Sequence, residues 1–216
     1  VEQLKTEKLM LNILPRPIAD RLKRGEKNIS GAYPEVTILF SDLVGFTSMS
    51  SKVSATELVK LLNDLFTRFD KRADALGLEK IKTIGDSYMA VGGKFSGQTC
   101  TPWHVVSAGL EMQEYIKRRK AEREKEGKFS FDMRVGVHCG PVVSGVVGVM
   151  KFQFDIWGDT VNIASRVQSN GEVGEVNISG VTYDLIKDQF DFEFRGSLPV
   201  KGKGEMAMYF VRQKTS

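Results

Sequence analysis

The sequence predicts an α+β fold, in which a mostly antiparallel sheet is flanked by helices. Three observations support this fold class. Apolar segments of strand length alternate with amphipathic segments of helix length, and several strand-like segments follow one another directly as hairpins. The chain has 216 residues, of which 41% are hydrophobic, so it is long enough to bury a substantial core as one domain.

Composition narrows the classes of function. The 31 basic and 27 acidic residues leave a formal net charge of +4, which suits an anionic small ligand but is too weak to indicate nucleic acid. No apolar window long enough to span a membrane occurs, and the charged opening VEQLKTEKLM does not resemble a signal peptide. Cys100 and Cys139 follow no metal-ligand spacing, and we expect free thiols in a reducing, cytoplasmic compartment.

The chain is predicted to divide into a helical linker at residues 1–33 and a globular domain at residues 34–216. Within the linker, Leu4, Leu11 and Leu14 have the a/d-like spacing of a parallel coiled coil. A single amphipathic helix that packs on its own domain fits so short a window equally well. Two prolines then interrupt the pattern, and IADRLKRG reads as a short helix closed by a glycine. The chain begins with Val inside a helix-like segment, so we interpret it as a fragment of a longer protein, for which a membrane anchor is one alternative.

The globular domain opens with a buried strand over residues 36–40 of EVTILFSDLVGF, which runs into a loop. Ser54 and Glu57 have the spacing of a capping box and begin a helix whose apolar residues recur at helical intervals. LEKIKTIGDSYMAVGG reads as two strands around a tight turn at residues 84–85. KFSGQTCTPW is predicted to be a loop, and a helix follows over residues 104–125.

The second half of the chain adds further strands and two helices. FDMRVGVHCGPVVSGVVG is predicted to form two strands that turn at Gly140 and Pro141. GDTVNIASRVQ and GVTYDLIKDQF are predicted helices, with the short strand GEVNIS between them. The tail FEFRGSLPVKGKGEMAMYFVRQ contains two or three more strands.

Two carboxylates lie where a predicted strand gives way to a loop. Asp42 ends the first apolar strand, and Asp86 lies at the hairpin turn. Two carboxylates at one sheet edge suit Mg²⁺ or Mn²⁺, which prefer oxygen ligands and retain coordination positions for phosphate oxygens. Alternatively, each aspartate caps its own turn, which is a common role for this residue.

A second group of polar residues lies in FDIWGDTVNIASR. Asp155 lies in an apolar run, and Asn162 and Arg166 share one face if Gly158 opens a helix. An amide beside a guanidinium makes a donor pair for a phosphoryl group, whereas the alternative is a surface helix whose arginine pairs with a carboxylate. Lys201 in PVKGKGE could approach a polyphosphate from a turn bracketed by glycines, although a lysine in a turn is ordinarily solvated.

Five ordered segments together resemble a known family. They are ILFSDLVGFT, KIKTIGDSYMAVGG, RVGVHCGPVVSGVVG, FDIWGDTVNIASR and VKGKGEMAMYFV. The chain resembles the catalytic domain of class III nucleotidyl cyclases, the adenylate and guanylate cyclases, over residues 34–212. The resemblance implies their ferredoxin-like-derived fold. The preceding LMLNILPRPIADRLKRGE resembles the segment that joins the family's coiled-coil transducer to the catalytic domain.

The resemblance also implies a reaction. Members of the family cyclise a nucleoside triphosphate to the 3′,5′-cyclic monophosphate and release pyrophosphate, through in-line attack of the ribose 3′-hydroxyl on the α-phosphate. The aspartates that match Asp42 and Asp86 hold two divalent metal ions, Mg²⁺ or Mn²⁺, and Leu43 is assigned to the same metal site.

Other matched positions bind the nucleotide in the family. Asn162 and Arg166 match the pair that orients the ribose and stabilises the charge on the transferring phosphate. Lys201 matches the lysine that holds the terminal phosphates. Phe46 and Thr47 lie in the loop whose backbone amides approach the phosphates in relatives.

Lys82 and Asp155 match the residues that select the base. Adenine offers an acceptor at N1 and a donor at its amine, and a lysine can only donate while an ionised aspartate can only accept. Guanine reverses part of this pattern, and guanylate cyclases typically carry Glu and Cys at the two positions. ATP is therefore the expected substrate. Lys80 would share a face with Lys82 on an ideal strand, and only the match to the family motif selects Lys82.

Active sites in this family lie at a dimer interface, with the metal aspartates from one protomer and the remaining site residues from the other. Because this chain fills all of these positions, the resemblance implies a homodimer with two composite sites, attached to an N-terminal sensor or transducer domain. The alternatives are a guanylate cyclase scaffold, with or without altered specificity, and a non-catalytic regulatory domain that binds nucleotide. A diguanylate cyclase is a further alternative, but the Gly-Gly-Asp/Glu-Glu-Phe signature is absent from the sequence.

Overall fold

A computed structural model describes residues 2–95 and 99–215. The helices are α1 (Glu2–Leu11), α2 (Arg16–Lys23), α3 (Phe46–Ser50), α4 (Ala55–Ala75), α5 (Pro102–Lys125), α6 (Asp159–Ser169) and α7 (Gly180–Ile186). The strands are β1 (Ser30–Val44), β2 (Glu79–Ile84), β3 (Ser87–Gly92), β4 (Asp132–Val147), β5 (Gln153–Trp157), β6 (Val176–Ser179), β7 (Asp191–Val200) and β8 (Gly204–Arg212). Part of the predicted loop KFSGQTCTPW, residues 96–98, lies outside the described residues.

The strands form one sheet in the order β2-β3-β1-β4-β6-β8-β7, and β5 pairs with the second half of β4. Among the described strands, β4 and β6 are the one parallel pair, and the remaining pairs are antiparallel. The α+β class with a mostly antiparallel sheet is therefore confirmed.

A hydrophobic core lies on each face of the sheet. The first core contains Tyr88 and Ala90 of β3 and the buried faces of α4 and α5. The second contains Met89 of β3 together with residues of β5 and α6. Successive residues of a strand point to opposite faces, so β3 contributes to both cores in alternation. This alternation fixes which side chains of the neighbouring strands can meet.

The linker packs partly on this domain. Leu14 and Ile18 are buried in the second core, whereas Leu4 and Leu9 of α1 are exposed. The linker thus packs on the domain near Leu14 and Ile18, and the apolar residues of α1 remain exposed. Among the described residues, no helix has both the length and the apolar content that a bilayer crossing requires.

β4 is one continuous strand, so the predicted turn at Gly140 and Pro141 is wrong. The pairing of β1 with β4 changes register between Tyr33 and Val36, which are opposite Val142 and Gly140. The proline therefore lies at a bulge, where the ladder does not require an amide donor from every residue.

Two glycines of β4 allow α6 to lie directly on the sheet. A Cβ atom on Gly136 would lie 2.2 Å from the backbone nitrogen of Gln168. A Cβ atom on Gly140 would lie 2.5 Å from Oγ1 of Thr160. These positions require glycine because the backbone of α6 at Gln168 and the side chain of Thr160 occupy the space that a side chain would need.

Most other predicted elements are present. Ser54 caps α4, where its hydroxyl accepts a hydrogen bond from the amide of Glu57 (3.2 Å). Phe46 and Thr47 were expected in a loop but begin the short helix α3. The reason is that Gly45 adopts a left-handed conformation (φ 88°), which ends β1 and redirects the chain into a helical turn.

Glu79, at the start of β2, is partly buried near the C-terminal end of α4. Burial, with the negative charge of Asp74 as a smaller cause, raises the pKa of Glu79 from its ordinary value of 4.5 to about 7. The folded protein therefore favours the neutral carboxyl. This contribution to stability is present below pH 4.5 and is lost as the pH rises through about 7.

We therefore expect Glu79→Gln to raise the free energy of unfolding by about 2 kcal/mol at pH 8 and to change it little at pH 4.5. Urea unfolding of both proteins at the two pH values measures the difference. Glu205→Gln, at an exposed position of β8, is the matched control and should show no such pH dependence. An equal effect of Glu79→Gln at both pH values would contradict this account.

Candidate active site

The two predicted metal carboxylates lie side by side. β1 and β3 pair so that Asp42 is opposite Ser87, the residue after Asp86. The hydroxyl of Ser87 donates a hydrogen bond to Oδ1 of Asp42 (2.9 Å). Burial, and second the negative charge of Asp42, raise the pKa of Asp86 above its ordinary value. Two carboxylates that repel each other in a partly dry site form an arrangement that a divalent cation stabilises.

The described residues contain no group of three or more His, Cys, Asp or Glu side chains that could hold a metal ion. The pair of carboxylates therefore leaves most coordination positions to other oxygens, which suits Mg²⁺ or Mn²⁺ bound together with phosphates. The side chain of Leu43 is buried in the first core, so only the backbone of this residue is left for a metal.

Arg134 is a candidate that the sequence analysis missed. It is the cross-strand partner of Asp42 on β4, so the two side chains leave the same face of the sheet. Its Nε atom is buried and has no hydrogen-bond partner among the described residues. Burying a guanidinium N–H without a hydrogen-bond partner raises the free energy of the folded protein. A bound anion would supply the missing acceptor. The available signal in the sequence was a charged residue within the apolar strand of DMRVGV.

Lys82 and Asp155 are in direct contact. Nζ of Lys82 lies 2.5 Å from Oδ2 of Asp155. The carboxylate is buried, and its Oδ1 accepts a hydrogen bond from the amide of Ile156 (2.8 Å). Each carboxylate oxygen of Asp155 therefore has a hydrogen-bond partner. The site presents a donor, Lys82, and an acceptor, Asp155, side by side.

A β-bulge separates the two neighbouring lysines of β2. Lys80 is opposite Ala90, and Lys82 is opposite the adjacent residue Met89, so one extra residue is accommodated between them. The expectation that the two lysines share a face is therefore wrong. Lys80 points to α4, where its Nζ lies 2.9 Å from Oδ1 of Asp70, and Lys82 points to the opposite face.

α6 presents Asn162 and Arg166 as predicted. Gly158 is the N-cap residue, and the helix that follows places the two side chains one turn apart on an exposed face. In the turn after β7, Lys201 is exposed. Nζ of the nearby Lys203 lies 2.6 Å from Oδ2 of Asp159, in the first turn of α6. This ion pair joins the turn of Lys201 to the helix.

The predicted site residues thus fall into two groups. The carboxylate group contains Asp42 and Asp86, beside which the structure adds Arg134, and the other group contains the Lys82 contact with Asp155 and the polar face of α6. Across residues 2–95 and 99–215, no hydrogen bond or ion pair joins Lys82 to Asp86, although only a hairpin turn separates them.

A family profile described as the adenylate and guanylate cyclase catalytic domain matches residues 29–213. The chain belongs to this family. The cyclase domain is 40% identical to an adenylate cyclase of Mycobacterium tuberculosis over 211 residues, which are 97% of this chain and 47% of that relative. It therefore spans about half the length of this curated relative.

Solved structures of both nucleotide types resemble the cyclase domain. The guanylate cyclase domain of RhGC from Catenaria anguillulae, in complex with GTP, has a TM-score of 0.78 at 35% identity, over 86% of this chain and 100% of that chain. An adenylyl cyclase from P. aeruginosa has a TM-score of 0.79 at 29% identity, over 87% of this chain and 97% of that chain. The overall likeness therefore does not distinguish an ATP-specific from a GTP-specific cyclase, and the distinction depends on individual residues.

Proposed function

We propose that this cyclase domain is an adenylate cyclase that converts ATP to 3′,5′-cyclic AMP and pyrophosphate. The contact between Lys82 and Asp155 is the observation that carries the proposal. Lys82 retains donors for N1 of adenine, and Asp155 retains acceptor capacity for the exocyclic amine. Guanine would place its N1–H donor against Lys82, which only donates, and its O6 acceptor against Asp155, which only accepts. These mismatches would leave buried polar groups unpaired, which is a strong basis for discrimination.

Asp42 and Asp86 would hold two divalent metal ions. The fit rests on two observations: the two carboxylates are adjacent, and the pKa of Asp86 is raised. A bound cation would relieve the repulsion between the carboxylates and stabilise the ionised form of Asp86. Bound Mg²⁺ or Mn²⁺ would favour ionisation of the 3′-hydroxyl and neutralise the triphosphate. The hydroxyl of Ser87 orients Asp42 for this role.

The remaining residues of the site supply hydrogen-bond donors. Asn162 and Arg166 would orient the ribose and stabilise the charge that develops on the transferring phosphate. Lys201 and Arg134, whose buried Nε has no hydrogen-bond partner in the part of the chain that the structure describes, would hold the terminal phosphates. Phe46 and Thr47 begin α3, where backbone amides lack helical acceptors, and we propose that these amides contribute further phosphate contacts.

We propose that two copies of the chain share each site. Exposed apolar side chains cluster on β4, β5 and the turn between them, namely Val143, Val147, Val149, Met150, Phe152 and Trp157. Several exposed apolar side chains on neighbouring elements support contact with another protein, and a two-fold interface would use them on both copies. The exposed leucines of α1 are a corresponding surface for the transducer segment of a longer chain.

The test is to supply the purified domain with ATP and GTP in parallel, in Mg²⁺ and in Mn²⁺, and to quantify both cyclic products by mass spectrometry. We expect cyclic AMP to predominate. Cyclic GMP as the main product would instead favour the guanylate cyclase alternative. Nucleotide binding without either product, by a domain that is dimeric in solution, would favour the regulatory alternative.

We expect the substitution Arg134→Met to lower activity without lowering the stability of the domain. We expect kcat/KM for ATP to fall by about 30-fold, because the triphosphate loses a charged partner. The free energy of unfolding should not fall, because the substitution removes a buried donor that has no partner in the described structure. Steady-state kinetics and urea unfolding measure the two effects, with Arg118→Met at an exposed position of α5 as the control. A loss of stability without a loss of activity would contradict the assignment.

A further inference from the structure

Three polar residues on the α4 side of β2 have no role in the proposed reaction. Asp70 of α4 accepts hydrogen bonds from Nζ of Lys80 at Oδ2 (3.0 Å) and from the hydroxyl of Tyr88 at Oδ1 (2.8 Å). Nζ of Lys80 also lies 5.3 Å from the centroid of the Tyr88 ring. Tyr88 is buried, and burial raises the pKa of its hydroxyl, which therefore remains a donor. We refer to Asp70, Lys80 and Tyr88 as the Asp70 cluster.

The Asp70 cluster lies next to the bulge that directs Lys82. Lys80 immediately precedes Ile81, the extra residue of the bulge, and Ile81 packs against the second core on the opposite face. Without the bulge, a strand anchored at Lys80 would turn Lys82 toward α4 and away from Asp155, because side chains two residues apart share a face.

The bulge needs support because β2 is an edge strand. Among the described strands, β2 has β3 on one side and no strand of the main path on the other. An edge strand held by one partner is the part of a sheet where register is least constrained. The contact of Lys80 with Asp70 ties β2 to α4, and the hydroxyl of Tyr88 ties the partner strand to the same carboxylate.

We propose that the Asp70 cluster positions Lys82: it holds β2 in its bulged register and thereby sets the choice of base. The three residues are positioning residues, since none of them is placed in the active site. The inference rests on the proposed function, because it takes Lys82 to be the residue that reads the base.

The test compares Lys80→Met and Asp70→Asn with the charge-conserving Lys80→Arg. Lys71→Met, an exposed position beside Asp70 on α4, is the matched control. For each variant, kcat/KM is measured for ATP and for GTP, together with inhibition by pyrophosphate and the thermal midpoint. Tyr88→Phe, which removes only the hydroxyl, provides a further variant if Lys80→Met does not fold.

We expect Lys80→Met and Asp70→Asn to lower the ratio of kcat/KM for ATP to that for GTP by about tenfold, chiefly through KM for ATP. Inhibition by pyrophosphate should not change, because pyrophosphate does not contact the base-reading residues. Lys80→Arg and Lys71→Met should retain the ratio of the unmodified protein. This pattern distinguishes positioning of Lys82 from general stabilisation, which would lower both activities equally.

An unchanged ratio in Lys80→Met and Asp70→Asn would overturn the inference, as would equal effects of Lys80→Arg and Lys80→Met. Lys82→Met, measured in parallel, separates this inference from the proposed function. If Lys82→Met lowers the ratio and Lys80→Met does not, only the positioning role is wrong. If Lys82→Met leaves the ratio unchanged, base reading by Lys82 is wrong and the positioning role is overturned with it.

Discussion

Asp86→Ala is expected to lower kcat for cyclic nucleotide formation by about 10³-fold, because one of two carboxylates that would hold the metal ions is lost. The free energy of unfolding should not fall, since the substitution relieves the burial and repulsion that raise the pKa of this carboxyl. Kinetics, urea unfolding and Mn²⁺ binding followed by electron paramagnetic resonance measure the three quantities. Asp184→Ala, at an exposed position of α7, is the control. Retention of full activity by Asp86→Ala would exclude the proposed metal site.

The same variant tests whether the site is shared. Asp86→Ala and Asn162→Ala should each be inactive alone, and their co-expression should restore about a quarter of the original activity, because half of the random dimers carry one intact site of two. Co-expression of Asp86→Ala with Asp42→Ala should restore nothing, since both defects lie in the same half of the site. Equal activity in the two mixtures, or none in the first, would show that the sites are not composed in this way.

The double substitution Lys82→Glu with Asp155→Cys should lower the ratio of kcat/KM for ATP to that for GTP by about 10³-fold. The new pair replaces a donor with an acceptor at the position opposite N1, which suits the N1–H of guanine. Lys82→Glu alone should be poorly active with both nucleotides, because it places two carboxylates in contact without a cation. Initial rates with each nucleotide measure the ratios.

Lys71→Glu, on the exposed face of α4, controls for the change in charge. If the double variant still preferred ATP, the choice of base would have to lie elsewhere. This result does not depend on the outcome for Asp86→Ala, because the two sets of substitutions alter different groups of site residues.

Much of this site could be predicted because several of its residues lie near the ends of elements, although β1 continues two residues beyond Asp42, where the sequence predicted the strand to end. Asp42 and Asp86 each follow an apolar segment, and the hairpin β2–β3 returns the chain beside β1, so their adjacency could be expected. Asn162 and Arg166 depend only on a helix that begins at Gly158, and a glycine before a helical pattern is a local signal.

Other features depend on pairings that no local pattern encodes. Gly140 and Pro141 suggest a turn by their residue types, but a bulge in β1 accommodates the proline within a continuous strand. The opposite directions of Lys80 and Lys82 arise from register with β3 and from a carboxylate on α4. The proposed role of Arg134 follows from its cross-strand partner and from its Nε, which has no hydrogen-bond partner among residues 2–95 and 99–215, and neither is visible in a single strand.

The unbroken course of β4 has a mechanical consequence. The strand contains 16 residues, which corresponds to a length of about 50 Å. Arg134 lies near one end, and the exposed apolar residues that we propose to contact a second copy begin beyond its middle. If two copies share each site as proposed, a small rotation of one copy against the other would move Arg134 together with β4, without local unfolding. The proposed contact between two copies and the proposed phosphate partner Arg134 would then lie towards opposite ends of one strand.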